Sequence, residues 1–157
     1  MPARVALFEN GFAVDGAIRQ FTAFEVGMLA DYVPAALVLP LQLALTLADQ
    51  KQRGLLDLPT LTTAIVVLTS LGTRMLDHHR DLLWRAFAVP VFEQLRNEEG
   101  IVIARECEVH DGLHIDQEVV LPDLSSLGEI IRQHCECGAE TPRLRYLTAP
   151  LCLAAAS

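Results

Sequence analysis

Apolar residues follow two rhythms along the first hundred positions of this chain: short unbroken runs alternate with stretches in which they recur every three or four residues. Arg4–Phe8 (RVALF) is a run of strand length, and Glu9-Asn10-Gly11 signals a turn after it. Ile18, Phe21, Phe24 and Met28 sit at helical spacing, which predicts a helix over 15–30 with Asp15 as its cap. Tyr32–Leu39 reads as a strand. Pro40 then fits the first turn of a helix reaching about Lys51, where a missing N–H leaves nothing unsatisfied. Thr62–Leu71 is β-branched and apolar, the pattern of a strand buried on both faces, and Gly72 ends it. A helix over 74–87 follows, with Met75, Leu76, Leu82, Leu83 and Phe87 turned inward, then a short strand over 89–95.

Strands alternating with helices predict an α/β fold, because parallel neighbours need a crossover that returns the chain over the sheet. The texture changes at Ile101. Residues 101–109 (IVIARECEV) and 117–124 (QEVVLPDL) predict two antiparallel strands around the turn Asp111-Gly112-Leu113-His114. The expected organisation is an α/β core over 1–100 and a β element over 101–157, packed with the core as one domain. A chain of 157 residues is long enough for such a core.

Tyr32–Ala48 carries no charge, but its 17 residues are short for a membrane span and are interrupted by Pro34, Pro40 and Gln42. A buried strand leading into a buried helix is the expectation there, with no membrane as partner. Glu9 and Asp15 break any apolar stretch near Met1 that would make a secretory signal, so a cytoplasmic location is expected. The net charge of −8 and pI of about 5.0 argue against nucleic acid and anionic membranes as partners, since both select basic surfaces. Hydrophobic residues make up 52% of the chain and charged ones only 20%. That balance predicts apolar surface left over after folding, hence a homo-oligomer or a hetero-subunit.

Three of the four cysteines and three of the five histidines fall between positions 107 and 137. Cys107, His114, Cys135 and Cys137 form C-x6-H-x20-C-x-C. A closed structural zinc site takes four tetrahedral ligands from thiolate and imidazole, and separate turns can supply them. Gly138 would let the chain turn tightly after Cys137. His110 and His134 compete with His114 as the imidazole ligand, although His134 would point away from Cys135 in an extended segment. The other reading of the same residues is buried, reduced cysteines with surface histidines. Cys152 reads as a small hydrophobe in an apolar tail, and His78 and His79 as a solvated helix face. His110, Asp111 and His114 also invite a hydrolase reading, but Asp111-Gly112 fits a tight turn better and no nucleophile elbow is present.

The residues around this cluster resemble a family. VPVFEQLRNEEGIVIARECEVHDGLHI, ending at Ile115, is similar to the segment of phenylacetate–coenzyme A ligases in which a strand leads through a Tyr-Gly-x-Thr-Glu box into Glu-Cys-Glu and Asp-Gly-Leu-His-Ile. CECGAETPR, Cys135 to Arg143, resembles the family's C-x-C-G-x-x-x-Pro-Arg element. The resemblance runs from about Leu37 to Arg145 and is strongest over 89–115 and 135–145. It implies part of an adenylate-forming ligase core, a mostly parallel sheet flanked by helices, with a small zinc-bound β element held by Cys107, His114, Cys135 and Cys137.

The departures from the family pattern concern catalysis. The Tyr-Gly-x-Thr-Glu box falls on Leu95-Arg96-Asn97-Glu98-Glu99, so only Glu99 remains, as a vestige of the magnesium-binding carboxylate. Arg96 would put a large cation where the family holds its nucleotide. The phosphate loop, expected before residue 1, the Arg-Tyr-x-Thr-Gly-Asp stretch, expected before the C-x-C, and a C-terminal domain with its lysine are not found in the sequence. Adenylation needs a triphosphate cradle, a metal and a cation together. The expectation is therefore a non-catalytic, zinc-stabilised relative that binds another protein. The alternatives are a reduced carboxylate-activating ligase or subunit completed by a partner chain, and a thiol-redox or metal-handling protein using Cys135 and Cys137.

Overall fold

The computed structural model describes residues 4–8, 17–116, 124 and 127–146. The chain divides into two compact units, Met1–Glu93 and Gln94–Ser157. The first contains β1 (Val5–Leu7), β2 (Ile18–Gln20), a 3-10 turn (Ala23–Met28), α1 (Leu29–Tyr32), β3 (Ala36–Pro40), α2 (Leu41–Gln52), β4 (Ala64–Ser70), α3 (Asp77–Phe87) and the start of β5 (Val91–Arg96). Its strand order is β2-β1-β3-β4-β5, and β1/β2, β1/β3 and β3/β4 are parallel pairs.

The unbroken apolar runs make the inner strands because both faces are covered. Leu37, Leu39, Ile65 and Val67 of β3 and β4 are buried with Leu41, Ala44, Leu47 and Ala48 of α2 and Leu83 of α3. Pro40 closes β3 and caps α2 in an extended conformation, so strand and helix meet without a loop. Glu93 on β5 is 1% exposed and accepts the Met75 N–H at 2.8 Å, which ties the segment entering α3 to the sheet.

The second unit contains the end of β5 with β6 (Val102–Glu106), β7 (Leu113–Ile115), β8 (Gly128–Ile131) and β9 (Arg143–Tyr146). Its order is β5-β6-β7-β9-β8, and every pair is antiparallel. Leu95, Ile103, Ala104, Leu113, Ile115, Leu124 and Leu144 form its core. The fold is thus α/β with mixed strand pairing, parallel in the first unit and antiparallel in the second, rather than mostly parallel.

Two expected elements differ. No helix spans the described part of 15–30. Ile18–Gln20 instead pairs with β1, supported by Val5 N–H to Ala17 O and Phe21 N–H to Leu7 O, both 2.8 Å. Phe21 packs on Phe8 and Tyr32, with ring centroids 5.6 and 5.3 Å apart. The free edge of β1 outcompetes a helix that Gly27 would already weaken by ~1 kcal/mol. Thr22-x-x-Glu25 marks where the helical turns begin instead: the Glu25 carboxylate accepts the Thr22 N–H at 2.9 Å, as at a helix start. In the second unit, β6 pairs with Leu113–Ile115 rather than with 117–124. Of that expected strand only Leu124 lies within the described residues. Leu113 and His114 belong to β7, so the turn ends at Gly112, one strand position before the histidine is needed.

Among the described residues no helix is long and apolar enough to cross a membrane. Tyr32–Ala48 is divided among the end of α1, β3 and α2.

Candidate metal centre

Cys107 follows β6, His114 lies in the middle of β7, and Cys135 and Cys137 lie in the connection from β8 to β9. Two turns of the same kind present the thiols. Cys107 O accepts the His110 N–H and Cys135 O accepts the Gly138 N–H, each at 3.0 Å. Each turn closes on a residue with positive φ, His110 at 57° and Gly138 at 92°. Glycine takes that conformation freely, whereas a histidine there is unusual.

The four donor atoms of Cys107, His114, Cys135 and Cys137 all lie within 4.8 Å of one another. Cys107 and Cys135 sulfurs are 3.7 Å apart, and Cys137 Sγ is 3.4 Å from His114 Nε2. Three thiols and one imidazole nitrogen converging in this way could hold a metal ion. A tetrahedral ion bound by such ligands would hold them about 3.5–3.8 Å apart, close to the two separations given above.

The surroundings fix these ligands. His114 is buried, and its Nδ1 is 2.8 Å from the Thr141 hydroxyl, which leaves Nε2 facing Cys137. A hydrogen bond at one ring nitrogen holds the ring so that the other stays directed at the cluster. Antiparallel pairing puts His114 opposite Arg143 and Leu113 opposite Leu144. Gly112, at φ 82°, allows this approach: a Cβ there would lie 3.0 Å from Leu144 O and 3.3 Å from Arg143 Cβ.

Burial pushes the Cys107 thiol up to about 11; the Val109 N–H opposes that shift, and the neighbouring Cys135 and Cys137 add to it. Cys135 lies below its ordinary value, first because the Cys137 N–H points at its sulfur. Crowded sulfurs cannot all ionise without a cation to balance them, and a bound metal does that.

The competing residues lie elsewhere. His110 Nδ1 is 2.6 Å from Glu106 Oε1, and the Glu106 side chain is 2% exposed. His134 is exposed beside Cys135 and outside the converging group. His110, Asp111 and His114, the residues of the hydrolase reading, bond separately to Glu106, to Arg143 with Arg145, and to Thr141. His79 Nδ1 accepts the Leu76 N–H at 3.1 Å at the start of α3, so it is less solvated than expected. Cys152 lies outside the described residues.

Glu99 is exposed in the loop joining β5 to β6. There the Asn97 side-chain oxygen accepts the N–H groups of Glu99 and Ile101, both at 2.9 Å. Leu95 is fully buried, and Arg96, 5% exposed, forks its guanidinium onto Gln94 Oε1. Sequence reasoning did not single out Thr141 or assign a role to Arg143. The residue type at 141 carries little signal, but Pro142-Arg143 stood inside the family-like element.

No protein-family model and no curated protein matches this chain. A match among solved structures is an open conformation of 2-hydroxyisobutyryl-CoA ligase in complex with 2-HIB-AMP and CoA. It has a TM-score of 0.65 at 14% identity, over 91% of this chain and 44% of that one. The chain therefore spans less than half the length of the protein it matches, and at that identity the likeness concerns the fold alone: this chain has the fold of part of that CoA ligase.

Proposed function

We propose that this chain is a zinc-stabilised, non-catalytic relative of the phenylacetate–CoA ligases that acts as a protein-binding or scaffolding subunit. The observation that carries the reading is the closed donor set: Cys107, His114, Cys135 and Cys137 bring four protein ligand atoms within 4.8 Å of one another. Four protein ligands fill a tetrahedral zinc and leave no position for water or substrate, so the ion serves folding rather than chemistry. The residues standing at the adenylate box fit the same reading. Leu95 and Arg96 are used inside the fold, and Glu99 is a loop carboxylate. For a binding role, the first unit exposes Trp84 at 56% and Leu55 at 73%. Tryptophan is over-represented among the side chains that dominate interfaces.

The test is elemental analysis of the purified chain with titration of ATP and magnesium. One zinc per chain, no nucleotide heat at millimolar ATP and a mass by light scattering above the monomer would support the proposal. Pyrophosphate release with any carboxylate would overturn it. A second reading, a reduced carboxylate-activating subunit completed by another chain, draws on the likeness to a ligase whose structure holds an acyl-adenylate and CoA. Adenylate binding by the isolated chain would favour that alternative.

A further inference from the structure

Arg143 is 4% exposed, and its guanidinium reaches into both halves of the Cys/His cluster. Nη1 donates to Asp111 O at 2.7 Å and to Asp111 Oδ2 at 2.9 Å, inside the turn that runs from Cys107 to His114. Nη2 donates to Gln133 O at 3.4 Å, two residues before Cys135. Its own backbone pairs with His114 in the β7/β9 register. One side chain thus touches the segments that carry all four candidate ligands. Its Nε–H is buried and has no oxygen or nitrogen acceptor among the described residues.

Charge gives the same residue a second task. Zinc with three thiolates and a neutral imidazole carries a net −1. Buried charge of that kind calls for a nearby counter-charge. Asp111 is bonded by both Arg143 and Arg145, whose Nη2 donates to Asp111 Oδ1 at 2.7 Å, so the three side chains together carry +1. Arg145 is half exposed, whereas Arg143 is the buried member.

We infer that Arg143 is a positioning residue of the metal centre: its fork holds the Cys107–His114 turn and the segment before Cys135 in register, and its charge balances the metal–thiolate core. This rests on the zinc reading above and extends it to a residue that ligates nothing. Partners bonded directly to a ligand change metal affinity by ~10–100-fold, and a residue that holds the ligand-bearing turns acts at the lower end of that range. Lysine keeps the charge but cannot make the two-directional fork, and methionine keeps neither.

The experiment compares wild type, Arg143→Lys and Arg143→Met for zinc release to a chromogenic chelator and, after cobalt substitution, for the thiolate-to-cobalt charge-transfer band. Arg143→Lys should release zinc ~10-fold faster or more with its band unmoved. Arg143→Met should release it at least as fast and shift the band to lower energy, because nothing then stabilises the filled sulfur orbitals. A merely structural role would not move the band in Met and spare it in Lys. If Arg143→Met does not fold, the lysine variant alone decides: release at the wild-type rate overturns the fork. Wild-type protein with full metal and variants identical to it would sink the Arg143 assignment and leave the zinc reading standing. A wild type that takes up no zinc sinks both.

Discussion

The Thr141 hydroxyl lies 2.8 Å from His114 Nδ1, while Nε2 of the same ring lies 3.4 Å from Cys137 Sγ. A threonine just before β9 therefore bonds the ring nitrogen of a β7 histidine that faces away from the thiols. Thr141→Val keeps the shape and removes the hydrogen bond. Zinc affinity should fall by ~10–100-fold, the usual effect of losing an outer partner of a ligating imidazole. Competition with a chelator of known affinity reads this directly. An unchanged affinity would mean that strand pairing alone orients His114.

Cys137→Ser and Cys107→Ser test the ligands themselves. Each leaves three donors, so the loss of affinity should exceed the ~10–100-fold of an outer partner. Because a site assembled only on folding contributes its binding energy to folding, metal content, solubility and melting temperature should fall together. Chelator treatment of the wild type should lower its melting temperature in the same way. A serine variant that is free of metal yet melts with the wild type would show that the second unit needs no metal.

Much of this could be read from the sequence, in the places where one physical rule dominates. Thr62–Leu71 and Tyr32–Leu39 are unbroken apolar runs; β4 (Ala64–Ser70) lies within the first, and β3 (Ala36–Pro40) takes the second half of the other, while Tyr32 ends α1. The C-x6-H-x20-C-x-C spacing nominated four residues that the structure brings together. The misses fall where tertiary pairing overrides local rhythm. Ile18 and Phe21 have helical spacing, but a free strand edge and the Phe8 and Tyr32 rings claim them. Arg143 and Thr141 could not be assigned roles because their meaning depends on β9 lying beside β7, a contact between positions about thirty residues apart.

The pairing of β8 with β9 offers a test of packing independent of any metal. Gly128 sits opposite Tyr146, and a Cβ at that position would meet the Arg145 carbonyl carbon at 2.8 Å and its oxygen closer still. Backbone cannot yield as a flexible side chain can. Gly128→Ala should cost at least ~1–3 kcal/mol, the usual range for overpacking. Gly138, by contrast, has open space for a Cβ, but its φ of 92° makes any substitution there a conformational rather than a steric test. Urea unfolding of the alanine variant at position 128 reads the cost; a midpoint equal to that of the wild type would contradict the close approach.

At the start of α3, a titrating group replaces the usual cap. His79 Nδ1 accepts the Leu76 N–H at 3.1 Å, a bond that requires an unprotonated nitrogen. Burial, and next the His78 ring whose centroid is 4.0 Å away, hold the His79 pKa below its ordinary value. A histidine whose folded pKa is depressed binds its proton more readily when unfolded. Its contribution to stability is therefore complete above the unfolded value of ~6.5 and is lost as the pH falls through the folded value. His79→Gln retains a side-chain acceptor at the third helical position without a titration. The difference in urea midpoint between wild type and His79→Gln should be constant above about pH 7 and should move against the wild type as the pH drops below ~6.5. Comparing the two proteins at each pH removes the contribution of acid-driven metal loss, which both share. A difference that stays flat down to pH 5 would mean that the Leu76 N–H finds another acceptor once the imidazole is protonated.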